Sequence, residues 1–341
     1  MAKSKILLIY TGGTIGMMQD VKTGALKPFD FKSLTNQVPE LNKFDIDLSS
    51  IAFEKPIDSS NMHKDVWVKL ANIIKDKYKS FDGFVILHGS DTMSFTASAL
   101  SFMLENLSKP VILTGSQLPI GIIRTDGKEN LITAIEIAGA KKNGKAIVQE
   151  VCIYFEYKLY RGNRTFKFNS EHFDAFKSPN YPFLAEAGVE IQYNERAFLK
   201  HNTKELKVHT ELDNNILVLK LFPGLNEKVT SSIINTKGIK AIILETFGAG
   251  NATTQAWFVD KLKSAIKRGV IILNVTQCHE GGVVQGMYET SRQLKNIGVV
   301  SGHDITYESA VTKLMFLLGQ KLFSNKVKQL LEKNLRGELT E

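Results

Sequence analysis

Ile6-Leu7-Leu8-Ile9-Tyr10-Thr11-Gly12-Gly13-Thr14-Ile15-Gly16 reads as a short buried strand that ends in a glycine turn and delivers one threonine hydroxyl. A second apolar run ends the same way. Phe84-Val85-Ile86-Leu87 gives way to His88-Gly89-Ser90-Asp91-Thr92, with hydroxyls and a carboxylate just past its last buried residue. Asp58-Ser59-Ser60 adds a carboxylate and two hydroxyls at a third expected strand exit. Open parallel sheets collect ligands beyond the carboxyl ends of their strands, so polar clusters placed there predict one shared pocket for a small polar ligand.

A glycine turn after a first strand invites a nucleotide reading, which the spacing rejects. The dinucleotide fingerprint needs G-x-G-x-x-G opening a helix, and Gly12-Gly13-Thr14-Ile15-Gly16 lacks it. No Lys-Ser or Lys-Thr closes a phosphate loop, and Met17 to Gly24 reads as a loop rather than the first turns of a helix. Gly12 and Gly13 can instead adopt positive φ, present Thr14 without backbone crowding and leave N–H groups free for a developing negative oxygen. The plainer reading is that Thr14 caps a local turn.

Over 341 residues, 43% hydrophobic and 23% charged, the chain has room for a sizeable core and more than one domain. Met1-Ala2-Lys3-Ser4-Lys5 runs straight into a strand too short for a secretory apolar region, and no later run approaches a membrane span. Only Cys152 and Cys278 occur, which suits a reducing compartment. These readings predict a cytoplasmic protein. The net charge of +8 comes from 43 Lys and Arg spread among 35 Asp and Glu. The densest basic stretch, Lys321 to Arg336, is interleaved with leucines and matches no nucleic-acid module, so neither nucleic acid nor a membrane is an expected partner.

Strand-like runs alternate with helical patterns, the rhythm of βαβ units. Strands are expected at 6–10, 83–88, 111–114 and 147–155, with helices at 65–79, 94–107 and from Asp126–Asn130 to about 142. Asp58 to Asn61 would cap the first helix, through Ser60 or Asn61, with Trp67 packed behind. After Arg196 the texture turns polar. A second alternation then places strands at 216–221, 239–244 and 270–275, and helices at 254–268, 305–318 and 323–334. The expected fold is α/β: an N-terminal catalytic domain over 1–195 with a mostly parallel, helix-flanked sheet, a linker at 196–213, and a smaller α/β domain over 214–341.

A hydroxyl nucleophile needs a neighbour to take its proton. Asp91 could accept from an ammonium group or orient a lysine, and Ser90 could pass a proton or hold water; together they could equally be an ordinary strand-to-helix cap. His88, at the end of a buried strand, reads as structural, and His279-Glu280 lacks the second histidine of a zinc motif. The run from Tyr160 to Lys167 offers basic groups, either solvated at the surface or, if desolvated, shifted toward neutrality.

These residues resemble the bacterial type I, cytoplasmic L-asparaginases along nearly the whole chain. The matching stretches are Tyr10 to Gly16, Asp58-Ser59-Ser60, His88-Gly89-Ser90-Asp91-Thr92-Met93, Val111 to Gln117, Tyr160-Arg161-Gly162-Asn163-Arg164, Asn274 to Cys278 and Asn334 to Leu339. The first and third together, at this spacing, are highly specific. The resemblance implies hydrolysis of the side-chain amide of L-asparagine to L-aspartate and ammonia, with no cofactor and no metal. Thr14 looks like the nucleophile. Ser90, Asp91 and Lys167 resemble a relay in which Lys167 draws the proton from Ser90 while Asp91 holds the lysine and the substrate ammonium. Asp58 and Ser59 would clamp the α-ammonium and α-carboxylate, and N–H groups beside Ser90 and Thr14 would hold the oxyanion. The family forms homodimers or dimers of dimers, which makes Asn251, in Phe247-Gly248-Ala249-Gly250-Asn251, a contributor to a neighbour's pocket; the same loop also reads as a simple strand-to-helix turn.

Three departures from the family matter. Ser90 stands where most members carry threonine, losing the methyl that restricts the rotamer. Gly24-Ala25-Leu26-Lys27-Pro28 lacks the lid tyrosine of several relatives, which leaves the activation of Thr14 less complete. Phe166 and Glu245 replace a small hydroxyl residue and an arginine at the second asparagine site of regulated members, so that allostery is expected to weaken, with Cys278 a packed small hydrophobe rather than a sensor. The competing readings are a glutaminase, an amidotransferase-type amidase, which normally has an added amino-terminal domain for which this chain leaves no room, and a non-catalytic amino-acid-binding protein. One methylene separates asparagine from glutamine, worth about 1–3 kcal/mol of discrimination. Keeping Thr14, Ser90, Asp91 and Lys167 together argues against a mere binder.

Overall fold

In the computed structural model, which describes residues 3–19, 26–28, 38–200 and 203–340, the opening apolar run forms β1 (Ser4–Tyr10), buried from Ile6 onward. The chain resolves into two compact units, one of Met1–Ser178 with Pro182–Thr210, the other of Pro179–Tyr181 with Glu211–Glu341. The first unit continues through β2 (Ile46–Ala52), α1 (Lys64–Lys77), β3 (Gly83–Leu87), α2 (Met93–Met103), β4 (Val111–Thr114), α3 (Gly127–Gly139) and β5 (Val151–Phe155). The strands β6 (Lys158–Arg161), β7 (Ala185–Ala187) and β8 (Ile191–Tyr193) complete an eight-stranded sheet in the order β8-β7-β6-β5-β4-β3-β1-β2.

From β5 to β2 all neighbours are parallel, and β6 to β8 add antiparallel pairs at the far edge. Ile9 pairs with Ile51 on one side and Ile86 on the other. β3 and β4 have every residue buried, which is why they read as unbroken apolar runs. The chain passes from β1 to β2 on one side and returns to β3 on the other. That reversal makes the exit of β1 a topological switch point, where open α/β sheets bind ligands.

Local differences from the expected elements have physical causes. Helix α2 stops at Met103 instead of running to 107. Its end is taken up by Leu104–Glu105, which pairs antiparallel with Lys207–Val208, while the His209 N–H donates to the Met103 carbonyl at 2.9 Å. Asn106 then adopts a left-handed φ of 65°. Asp58 does not cap α1. It caps the short turn Ser59–Asn61, and α1 begins after His63. Trp67 is buried and donates Nε1–H to Thr96 Oγ1 on α2 at 3.0 Å. β5 begins at Val151 rather than 147, and Met17–Gln19 pairs antiparallel with Leu26–Pro28 where a loop was expected. Gly24 and Ala25 lie outside the described residues.

The second unit carries β9 (Ile216–Lys220), α4 (Glu227–Ile234), β10 (Ala241–Thr246), α5 (Ala256–Lys267), β11 (Ile271–Thr276), α6 (Glu289–Ile297), β12 (Val300–Ser301), α7 (Tyr307–Gly319) and α8 (Ser324–Leu331). Its four strands run parallel in sequence order, and Ile242, Leu244 and Ile272 pack with Phe258 and Leu262 of α5. The tail from Asn334 to Leu339 is tied down by a fully buried ion pair, Lys313 Nζ to Glu338 Oε1 at 2.6 Å. Lys313 also donates to the carbonyls of Leu331 and Lys333, and the Glu338 carboxylate accepts the N–H groups of Leu335 and Arg336. Every charge in that pair is met, the condition under which burying it is tolerable. Among the described residues no helix is long and apolar enough to cross a membrane.

Candidate active site

The turn after β1 is built from bare backbone. Gly12 and Gly13 take φ of 137° and 91°, a region that L side chains rarely enter. A β-carbon on Gly12 would collide with the backbone of Ile57, and one on Gly13 would lie 2.5 Å from the Gly89 nitrogen. The turn therefore lies directly against the chain leading to Asp58 and the chain leading to Ser90. Hydrogen bonds lock the same contact: Thr11 donates its N–H and its hydroxyl to the Leu87 carbonyl at 3.0 and 2.9 Å, and the Ile57 N–H donates to the Thr11 carbonyl at 2.8 Å. Gly89 is confined in turn, since a β-carbon there would lie 2.5 Å from Ser59 Oγ. Three strand exits around the switch point thus close into one cluster, with Thr14 opening the turn Thr14–Gly16 upon it. The Tyr10 hydroxyl donates to the Gly16 carbonyl at 3.1 Å, and burial pushes its pKa up to about 12, so it remains a donor.

Asp58 is exposed, with its carboxylate accepting the Ser60 N–H at 2.9 Å and the Ser60 hydroxyl at 2.7 Å. Those two bonds hold its pKa below the usual 3.8, so it stays charged. Ser59 is buried, and its carbonyl accepts the Thr92 hydroxyl at 2.7 Å, tying the Asp58 turn to the exit of β3.

Ser90 is 9% exposed and sits between two partners. Lys167 Nζ donates to Ser90 Oγ at 2.8 Å and to Asp91 Oδ1 at 2.6 Å, and Ser90 Oγ donates to Gln117 Oε1 at 3.2 Å. Lys167 arrives on a two-stranded ribbon, Phe166–Lys167 against Phe176–Lys177. With its side chain 17% exposed, it is not the solvated surface lysine that composition alone would favour.

Gln117, at the end of the Val111 to Gln117 stretch, is a neighbour of Ser90 that sequence reasoning missed. Its Nε2 donates to the Ser170 and His172 carbonyls, while its N–H and that of Leu118 donate to the Asp126 carboxylate. Asp126 thereby fixes the residue that accepts the Ser90 hydrogen bond, and burial raises its own pKa despite those bonds. The signal that could have found Gln117 was its place at the exit of β4, beside the other exits.

Thr14, Asp58, Ser59, Ser90, Asp91 and Lys167 all belong to the first unit; Asn251 belongs to the second. There it follows β10, bridges to Phe247 and accepts the Thr290 hydroxyl at 2.8 Å. Glu245, on β10, lies 3.9 Å from Lys220, and Phe166 is buried edge-on to Phe168 at 6.2 Å. Cys278 corrects one expectation. It is exposed rather than packed, because β11 ends at Thr276 and the residue falls in the bend beyond.

Comparisons with known proteins agree with this architecture. Residues 5–199 match the family described as asparaginase, N-terminal, and residues 215–331 the glutaminase/asparaginase C-terminal domain. L-asparaginase 1 of Escherichia coli (strain K12) is 41% identical over 341 residues, covering 100% of this chain and 99% of its own. The 60 kDa lysophospholipase of Mus musculus is 38% identical over 363 residues, 98% of this chain and 62% of that protein. The crystal structure of L-asparaginase I from Vibrio cholerae O1 biovar eltor superposes with a TM-score of 0.90 at 39% identity over 100% of both chains. With both of its halves matched and its whole length aligned to such relatives, the chain belongs to the asparaginase family.

Proposed function

We propose that this protein hydrolyses the side-chain amide of L-asparagine to L-aspartate and ammonia, with Thr14 as nucleophile. The observation that carries the reading is Lys167 Nζ bonded at once to Ser90 Oγ and Asp91 Oδ1, beside the contact between Gly13 and Gly89. It sets a hydroxyl, amine and carboxylate chain next to the turn that presents Thr14. In the proposed sequence Thr14 Oγ attacks the amide carbon, and its proton passes through Ser90 Oγ to the Lys167 amine. Asp91 holds the resulting ammonium. Charge on the tetrahedral oxygen is met by backbone N–H groups beside Thr14 and Ser90. The C–N bond breaks as Lys167 returns its proton to the departing ammonia. Water then hydrolyses the acyl ester, releasing aspartate and restoring the Thr14 hydroxyl. Asp58 and Asp91 receive the α-ammonium, and Ser59 the α-carboxylate. We place the enzyme in the cytoplasm as a homodimer or dimer of dimers, with Asn251 reaching the pocket of a neighbouring copy.

Ammonia release from L-asparagine and L-glutamine by the intact protein and by Thr14→Ala tests this. Turnover of asparagine is expected, with kcat reduced about a thousandfold or more in the variant. A folded protein that releases no ammonia from either substrate overturns the amidase reading, and equal kcat/KM for both overturns the asparagine preference. Because Thr14 and Lys167 act as one unit in the proposed relay, Lys167→Met should reduce kcat comparably, and the double variant should be scarcely worse than either single one. Losses that multiply would separate Lys167 from the Thr14 step.

A further inference from the structure

His88 follows β3 with its imidazole fully buried and both ring nitrogens engaged. Nδ1 lies 2.7 Å from the Gly89 carbonyl oxygen, and Nε2 lies 2.9 Å from Thr96 Oγ1 on α2. Thr96 Oγ1 is in turn 3.0 Å from Nε1 of Trp67 on α1. Burial of the ring, which disfavours the imidazolium, and the two ends of this chain of bonds together fix its direction, because an indole N–H only donates and a peptide carbonyl only accepts. Trp67 therefore donates to Thr96, Thr96 donates to the Nε2 lone pair, and Nδ1–H donates to the Gly89 carbonyl. The imidazole is neutral with its proton on Nδ1. Burial agrees with this, depressing the His88 pKa to about 4.

The consequence lies one peptide further on. A trans peptide points its C=O and N–H in opposite directions, and the described residues contain no cis bond. With the Gly89 carbonyl held toward the imidazole, the Ser90 N–H is turned away from it. That N–H takes no acceptor among the described residues. We propose that His88 is a positioning residue for amide hydrolysis: the Trp67–Thr96–His88 wire holds the Gly89 carbonyl and so aims the Ser90 N–H at the oxygen that becomes negative in the tetrahedral intermediate. The inference rests on the amidase reading above for its purpose, and on the hydrogen-bond polarity for its geometry.

Variants separate aiming from packing. His88→Asn returns an amide donor near the Nδ1 position, whereas His88→Gln reaches toward Thr96 and leaves the Gly89 carbonyl without its donor. Thr96→Val keeps the volume and removes the hydroxyl that selects the tautomer; Thr96→Ser restores it. For L-asparagine, kcat should fall on the order of tenfold to a hundredfold in His88→Gln and Thr96→Val, with KM moving less than about threefold. His88→Asn and Thr96→Ser should recover most of the turnover. Equal kcat losses in His88→Asn and His88→Gln at matched thermal stability would overturn the proposal, since packing alone would explain them. Independently, 15N-histidine NMR of the intact protein, with the His88 signals assigned by their loss in His88→Gln, should show the Nδ1–H tautomer. An Nε2–H or doubly protonated ring at pH 7 overturns the wire whether or not the protein turns over. Absence of turnover in the wild type would instead count against the amidase reading, with the tautomer still deciding the wire.

Discussion

At Ser90 two bonds do what a branched side chain would otherwise do. The donor from Lys167 and the acceptor on Gln117 already hold Oγ in one direction. The methyl absent from Ser90 is therefore not needed to fix the rotamer, and Ser90→Thr should leave kcat within about threefold, while Ser90→Ala should lower it at least a hundredfold. Steady-state ammonia assays on both variants decide this, and a large gain in Ser90→Thr would show that the rotamer was loose after all. Asp58 makes a pH prediction with a definite sign. Its pKa is depressed by the Ser60 N–H and hydroxyl, so its charge survives below the ordinary carboxylate range and is lost only as pH falls through that lowered value. Ser60→Ala removes the hydroxyl bond and moves the value back up, so the acid limb of kcat/KM should shift to higher pH. An unmoved limb would detach that limb from Asp58. The resemblance marked Asp58 as a candidate clamp, but Ser60 read as a helix cap, because its partner is two residues behind it rather than in the helix ahead.

Among the elements, α3 shows how a helix terminus can serve a site it does not enter. Asp126 stands at its N-cap, yet its carboxylate turns back to accept the N–H groups of Gln117 and Leu118 and the Asn130 amide. Asp126→Ala would strip those donors of a charged acceptor, costing about 3 kcal/mol of stability and lowering kcat through a loosened Gln117. Asp126→Asn, which keeps one acceptor oxygen, should recover part of both; urea midpoints and turnover measured together would reject the link if stability fell and kcat did not. The elements around the site were legible where burial on both faces makes an unbroken apolar run, as in β1, β3 and β4. The bounds of β2 were not legible because it is an edge strand whose only half-buried residues are Ile46, Leu48 and Ile51. The end of α2 was overrun because apolar spacing continues through Leu104 and Leu107, and only the remote pairing with Lys207–Val208 stops it. Composition gives no hint that Pro179–Tyr181 belongs with the second unit, since that depends on Asn180 bonding Gly281 and Asp304 a hundred residues away. Lys167 could not be separated from a solvated lysine for the same reason: its partners are 76 and 77 residues distant.

Across the whole molecule, one buried group in each unit answers pH in the opposite sense to the other. In the first, His88 has a folded pKa near 4 against 6.5 when exposed. Between those values the unfolded chain binds more protons, so this contribution is fully present above about 6.5 and is lost as pH falls toward 4. At 1.36 kcal/mol per unit it amounts to about 3 kcal/mol. In the second unit, burial beside Glu245 raises Glu308 from 4.5 to about 7. There the folded state binds more protons, so the contribution is present below about 4.5 and disappears as pH rises through 7. The two tryptophans allow the units to be followed separately in the full chain, Trp67 in the first and Trp257 in the second. Urea unfolding monitored through Trp67 in a Trp257→Phe background should show a midpoint that rises from pH 4.5 to 6.5, and His88→Asn should flatten that rise. Monitored through Trp257 in a Trp67→Phe background, the midpoint should fall over pH 4.5 to 7, and Glu308→Gln should flatten that fall. If both tryptophans reported one common midpoint with one common slope, the units would be unfolding as a single cooperative body, and the opposing slopes would survive only as a partial cancellation that each substitution unmasks in turn. If neither substitution changed the slope, both assignments would fail.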